Sequence, residues 1–200
     1  RGHITQLSCA RSVAQLADAR ERDLAVTAAV SAHHLHLSEQ DIGEFDTRCH
    51  VIPPLRSLTD RNGLRQGLTD GVIEAICSDH QPHGLDAKLA PFSESSPGIA
   101  GLETLLSLTL KLVDEGVLKL PEAVAALTAN PARILGIDTG QLSIGARADL
   151  CVFDPNKQWQ VRAEKLRSNG TNTPFDGRSL SGVVRWTLAS GEVVFADDKR

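Results

Sequence analysis

Apolar positions in residues 12–22 recur at helical spacing, with Val13, Leu16 and Ala17 on one face ahead of the charged run Arg20-Glu21-Arg22-Asp23, which predicts an amphipathic helix. Residues 24–30 follow as an apolar, β-branched run suited to a buried strand. The pair then repeats: residues 60–68 are amphipathic and close on Asp70-Gly71, and residues 72–77 (VIEAIC) read as a second short strand covered on both faces. Between them Ser38 opens a capping box with Asp41, and any helix there is short because Gly43 follows. A loop over residues 78–97 carries His80, His83 and three prolines and precedes an apolar helix over residues 99–115, stopped at Gly116. A structureless stretch of that length is functional or disordered. Residues 121–129 and 131–135 read as two further helices, each opening on proline, the second with Asn130 as its N-cap.

After Gly136 the texture changes, because Gly140, Gly145, Pro155, Gly170, Gly177, Gly182 and Gly191 punctuate short β-prone runs. Strands are expected at residues 150–153, 158–161, 182–188 and 192–195, with Ser190-Gly191 turning a hairpin. Helix–strand alternation followed by a β-rich tail implies an α/β portion with parallel strands, residues 1–138, and a small β module, residues 139–200.

Composition narrows the function classes. The 200 residues are 41% hydrophobic and 23% charged, the make-up of an ordinary soluble domain. Net charge is −4 with Lys and Arg scattered, so no basic footprint for nucleic acid is present. No run approaches the roughly 18 to 20 apolar residues of a membrane span, and no signal pattern opens the chain. Cys9, Cys49, Cys77 and Cys151 lie far apart, which reads as reduced thiols in a cytoplasmic protein. The chain holds no methionine and begins Arg1-Gly2-His3, so it reads as a fragment or a processed chain.

The strongest chemical signal is Ser78-Asp79-His80-Gln81-Pro82-His83, directly after the second strand. In parallel α/β folds the C-terminal strand edge faces the ligand, so a carboxylate and two imidazoles there are placed to bind a metal or move a proton. Equally, Asp79 caps the following turn and the histidines are solvated loop residues. In His33-His34-Leu35-His36, strand alternation puts His34 and His36 on one face, a pattern open to metal binding but favouring one packed and two hydrogen-bonded histidines. Pro53-Pro54-Leu55-Arg56 is stiff backbone delivering an arginine, either to an anion or to brace a strand exit. Pro97-Gly98 permits close backbone approach to a ligand, or is a turn before the long helix.

In order along the chain, the segments Thr27-Ala28-Ala29-Val30-Ser31-Ala32-His33-His34-Leu35, Pro53-Pro54-Leu55-Arg56, Ser78-Asp79-His80-Gln81-Pro82-His83, Pro97-Gly98-Ile99-Ala100-Gly101-Leu102-Glu103-Thr104, Asn130-Pro131-Ala132-Arg133 and Asn172-Thr173-Pro174-Phe175 resemble the C-terminal half of a dihydroorotase of the amidohydrolase superfamily. The resemblance implies the later strands and helices of a (β/α)8 TIM-type barrel, one or two zinc ions at its mouth, and a small β-sandwich module. It implies reversible hydrolysis of dihydroorotate to N-carbamoyl-L-aspartate, a step of pyrimidine biosynthesis, in a cytoplasmic homo-oligomer. Asp79 would then be the metal-binding carboxylate and catalytic base, His83 a substrate contact, and Pro97 and Gly98 backbone contacts to the substrate ring.

Two positions depart from the family pattern. Gln6 stands where a zinc-binding histidine is expected, and Ile52 where an asparagine precedes the double proline. An amide is a feeble zinc ligand. His3, three residues from Gln6 on a strand, points to the opposite face. These losses resemble non-catalytic dihydroorotase-like subunits that accompany aspartate carbamoyltransferase, which is the alternative expectation; hydantoinase or allantoinase activity ranks third. The other family ligands would lie before Arg1, and a whole barrel needs about 250 residues.

Overall fold

The computed structural model describes residues 1–197. Three short strands, β1 (Gly2–Ile4), β2 (Val26–Ser31) and β3 (Ala75–Cys77), form a parallel sheet in the order β1-β2-β3. Its register pairs His3 with Thr27, Val30 with Ile76 and Ser31 with Cys77. Helix α1 (Ala10–Glu21) joins β1 to β2, and α2 (Leu58–Thr69) leads into β3. The two helices pack closely because Gly63 has no side chain: a Cβ there would collide with Ala10. Parallel strands joined by helices are the repeating unit of the expected barrel, and these three make part of one. β1 is exposed along its whole length.

Helix α3 is shorter than its apolar run, Leu105–Asp114 rather than 99–115. The first residues of that run serve another purpose: Ile99 bridges to His80 and its carbonyl accepts from Gln81 N at 2.9 Å. Helices α4 (Leu120–Leu127) and α5 (Ala129–Leu135) follow. Asn130 is not the N-cap of α5; it lies inside the first turn, and its side chain donates to Glu74 O at 2.8 Å, bracing the entry to β3. Val30, Leu35, Leu64, Ile73, Ile99, Leu112 and Phe175 form the fully buried centre of the core.

Strands β4 (Leu150–Gln160), β5 (Ser179–Ala189) and β6 (Glu192–Ala196) form one antiparallel sheet, β4-β5-β6. The two runs expected at 150–153 and 158–161 are a single strand, since pairing with β5 carries the chain through an irregularity between Asp154 and Gln158. The Ser190-Gly191 hairpin turn is present, both residues having positive φ, 52° and 86°. A sandwich requires a second facing sheet; the described residues supply the one. This sheet is tied to α3 through Ser107, whose hydroxyl donates to Gly182 O at 3.1 Å and accepts from Trp159 Nε1 at 2.9 Å.

Candidate active site

Asp79 lies two residues beyond the end of β3, at the C-terminal edge of the sheet, with φ of +46°. That left-handed backbone is uncommon outside glycine but best tolerated by short polar residues such as Asp. Its side chain is only 7% exposed. Three neutral donors hold the carboxylate: Gln6 Nε2 at 2.5 Å and Gln81 Nε2 at 2.9 Å on Oδ1, and Ser31 Oγ at 3.1 Å on Oδ2. Gln6 also sits at positive φ, 56°, so both partners of its bond to Asp79 leave the ordinary backbone regions. Ser31 belongs to the last position of β2, so adjacent strands deliver donor and acceptor to the same edge.

The histidine cluster is not on a strand. Residues Ala32–Leu35 form a 3₁₀ turn at the end of β2, which sends the three imidazoles in different directions. His34 Nε2 lies 3.1 Å from Pro53 O and His36 Nε2 2.7 Å from Leu108 O. A carbonyl only accepts, so each imidazole donates there; these two are the hydrogen-bonded histidines expected, and they are no ligand pair. His33 is different. It is 2% exposed and, like His34 Nδ1, its Nε2 has no hydrogen-bond partner, but that atom faces Asp79 Oδ2 at 3.8 Å. Burial, reinforced by the neighbouring His34, pushes the His33 imidazole well below its ordinary 6.5 and keeps it neutral, so the contact is not an ion pair.

An unpaired nitrogen of a neutral, buried imidazole set against a carboxylate is a poor arrangement by itself and a good one around a cation. His33 and Asp79 therefore fit two places of a metal's ligand set. Among the described residues no group of three or more His, Cys, Asp and Glu is placed to hold an ion. Gln6, the third residue at this point, presents an amide.

His83, Pro97 and Gly98 come together about the same loop. His83 Nε2 donates to Pro97 O at 3.0 Å, so these two expected substrate contacts are bonded to each other through those atoms, leaving His83 Nδ1 as the free acceptor. Gly98 has φ of +132°, donates its N–H to His50 O at 2.8 Å, and lies so near Gln81 that a Cβ would come within 2.5 Å of the Gln81 Cβ. Only glycine fits there. Ile52 is 64% exposed. His3 bonds Thr27 Oγ1 at 2.8 Å across β1 and β2; Gln6 lies beyond the end of β1 at positive φ, so the strand alternation expected to separate the two does not extend to it.

Sequence reasoning quoted Ser31, His33 and Asn172 within motif segments but did not foresee that Ser31 and His33 meet Asp79 or that Asn172 bonds the His83 loop. The usable signal for the first two was position: residues 31–33 leave β2 at the edge where Asp79 leaves β3. A cavity of about 460 Å³ opens elsewhere, between α3 and the antiparallel sheet, lined by Leu102, Leu106, Trp159 and Phe195.

Comparison with known proteins agrees with the α/β fold. The amidohydrolase family profile matches residues 8–194. The dihydroorotase of Syntrophus aciditrophicus is 44% identical over 196 residues, covering 98% of this chain and 46% of that protein. A dihydroorotase-like protein of Pseudomonas putida is 45% identical over 193 residues, covering 96% and 45%. Among solved structures, the L-hydantoinase (dihydropyrimidinase) of Arthrobacter aurescens superposes with a TM-score of 0.90 at 28% identity, covering 97% of this chain and 44% of that one. The chain thus spans about half the length of the curated relatives it matches. Members of this family are in general metal-dependent. With parallel strands joined by helices and a family profile that matches nearly all its residues, the chain belongs to the amidohydrolase family.

Proposed function

We propose that this chain is the C-terminal half of a zinc-dependent dihydroorotase, which reversibly hydrolyses dihydroorotate to N-carbamoyl-L-aspartate in cytoplasmic pyrimidine synthesis. The observation that carries the reading is Asp79: a buried carboxylate at the C-terminal edge of a parallel sheet, oriented by Ser31 and Gln81 and facing the unpartnered His33 Nε2. The names of the curated relatives support the substrate. Residues 1–138 would belong to the barrel and 139–200 to the β module, with a preceding part of the protein completing the barrel, the sandwich and the ligand set.

Asp79 and His33 would hold the metal, which when bound lowers the pKa of water and polarises an amide carbonyl. Asp79 then acts as the base. Oδ2, which carries only the Ser31 hydrogen bond, takes the proton from the water that attacks the ring carbonyl and returns it to the departing ring nitrogen. Oδ1, held by two amides, stays fixed and sets the direction of transfer. With His83 Nε2 bonded to Pro97 O, its Nδ1 is one group of that loop left to contact substrate, and His80 Nε2, the Nδ1 of that ring accepting from Leu102 N, is another.

Metal analysis and a dihydroorotate hydrolysis assay on the full-length protein test this. Turnover with bound zinc, lowered roughly 10³-fold or more in kcat/KM by Asp79→Asn, is the expected result. A folded protein with no zinc and no turnover would overturn it. If that folded protein also co-purifies with aspartate carbamoyltransferase, the structural-subunit alternative, which Gln6 motivates, takes its place.

A further inference from the structure

Asn172 opens the Asn172-Thr173-Pro174-Phe175 stretch, 89 residues beyond His83 in sequence, and it is 3% exposed. Its side chain makes three hydrogen bonds, all to backbone of the loops around the candidate site. Oδ1 accepts from His83 N at 2.7 Å, while Nδ2 donates to Gln81 O at 2.9 Å and to Gly98 O at 2.9 Å. Its own carbonyl accepts from Ala100 N at 3.0 Å. Every donor and acceptor of the amide but one lone pair is used, and the two loops it joins are those that carry His83 and Pro97-Gly98.

The neighbouring contacts fit a strap. Thr171 N donates to His83 O at 3.2 Å. Gly170 lies against Pro82 and His83 so closely that a Cβ would stand 2.5 Å from His83 N and 2.7 Å from Pro82 C, a backbone clash that no rotamer relieves. Residues 170–172 therefore lie across the loop that begins at Asp79. The orientation of the amide is fixed by its partners, because two carbonyl oxygens face one end and an N–H faces the other.

We propose that Asn172 is a positioning residue for this site, locking the Gln81–His83 backbone to Gly98 so that His83 Nδ1 is held in place to face substrate. The role rests on the cyclic-amidase reading above, although the locking itself does not. It acts mainly on binding geometry, with a smaller effect on proton transfer, because Gln81 also holds Asp79 Oδ1. A misplacement of about 1 Å in such contacts costs up to about 10²-fold.

The test compares Asn172→Ala, Asn172→Asp and Trp159→Phe in the full-length protein by dihydroorotate kinetics and by amide hydrogen exchange. Asn172→Asp matches asparagine in shape and keeps the acceptor for His83 N, but replaces the donor with an oxygen facing two carbonyls. Both Asn172 variants should raise KM roughly 10- to 100-fold with a smaller change in kcat, and should speed exchange of the amides in residues 79–84 and 97–101. Trp159→Phe, a change in the same β module that loses the bond to Ser107 of α3, should lower stability and leave KM and those amides alone. An unchanged KM with only a lower melting temperature, or exchange in the two segments unaltered, overturns the proposal. If Asn172→Ala does not fold, the isosteric Asn172→Asp alone decides. If the wild-type protein does not turn over dihydroorotate, the functional reading fails by itself and the exchange pattern still decides whether Asn172 locks the loops.

Discussion

Acidification from pH 7 to pH 5 tests the burial of His36. The residue is 8% exposed, Nε2 donates to Leu108 O at 2.7 Å, and Nδ1 faces Arg65 Nη2 at 3.5 Å. Burial is the main cause that pushes this imidazole down from 6.5 to about 4; the Leu108 bond opposes it, the Arg65 and Lys111 charges add to it, and Glu115 offsets part. An unfolded chain takes up the proton near 6.5 and the folded one only near 4, so between these values the unfolded state holds more protons and stability falls as pH falls. Full linkage over that interval is worth about 3 kcal/mol, of which about 2 kcal/mol is lost between pH 7 and pH 5. His33 and His34, also buried and also displaced downward, act in the same direction, so the His36 share has to be isolated. His36→Gln does this, since the amide reaches Leu108 O with a donor that does not titrate. Urea unfolding of both proteins at pH 7, 6 and 5 should show the wild type losing about 2 kcal/mol more than the variant. Equal losses would mean that His36 is protonated in the folded state, and the reasoning from burial would be wrong.

Two further outcomes follow from the same structure. Gln6→His replaces the amide 2.5 Å from Asp79 with an imidazole, a far better metal ligand, and should slow metal loss to a chelator roughly tenfold or more, read by elemental analysis; unchanged retention would show that position 6 does not face the ion. Cys9, at the N-cap of α1, has its thiol lowered chiefly by the Ser12 hydroxyl, whereas burial pushes the Cys49 thiol up to about 11. Iodoacetamide at pH 7.5 should label Cys9 at least about tenfold faster than Cys49, measured by peptide mass spectrometry, and comparable rates would contradict the assigned environments.

Much of the architecture was legible along the chain because periodicity is local. The spacing of Val13 and Leu16, the apolar run ending at Val30 and the VIEAIC segment mark α1, β2 and β3 within a few residues, and Ser190-Gly191 marks its hairpin. Asp79 was legible as well, since a carboxylate directly after a buried parallel strand stands at the ligand edge whatever the rest of the fold. Other features depended on partners distant in sequence. Pairing with β5 merges two short runs into β4, and the demands of Gln81 and His80 keep residues 99–104 out of α3. His33, His34 and His36 are nearly identical to any sequence window, yet one faces Asp79 and the others face carbonyls of Pro53 and Leu108.

The sequence by itself determined the alternation of helices and strands, the turns, and the carboxylate at the sheet's edge, because each is encoded in a few adjacent residues. Only the tertiary structure decided that Gln6 would hold Asp79 across 73 residues, that His33 would face it unpaired, and that Asn172 would tie the two loops together across 91 and 74. These contacts form where the folded core returns distant segments to one point, and no local propensity specifies which side chains meet there.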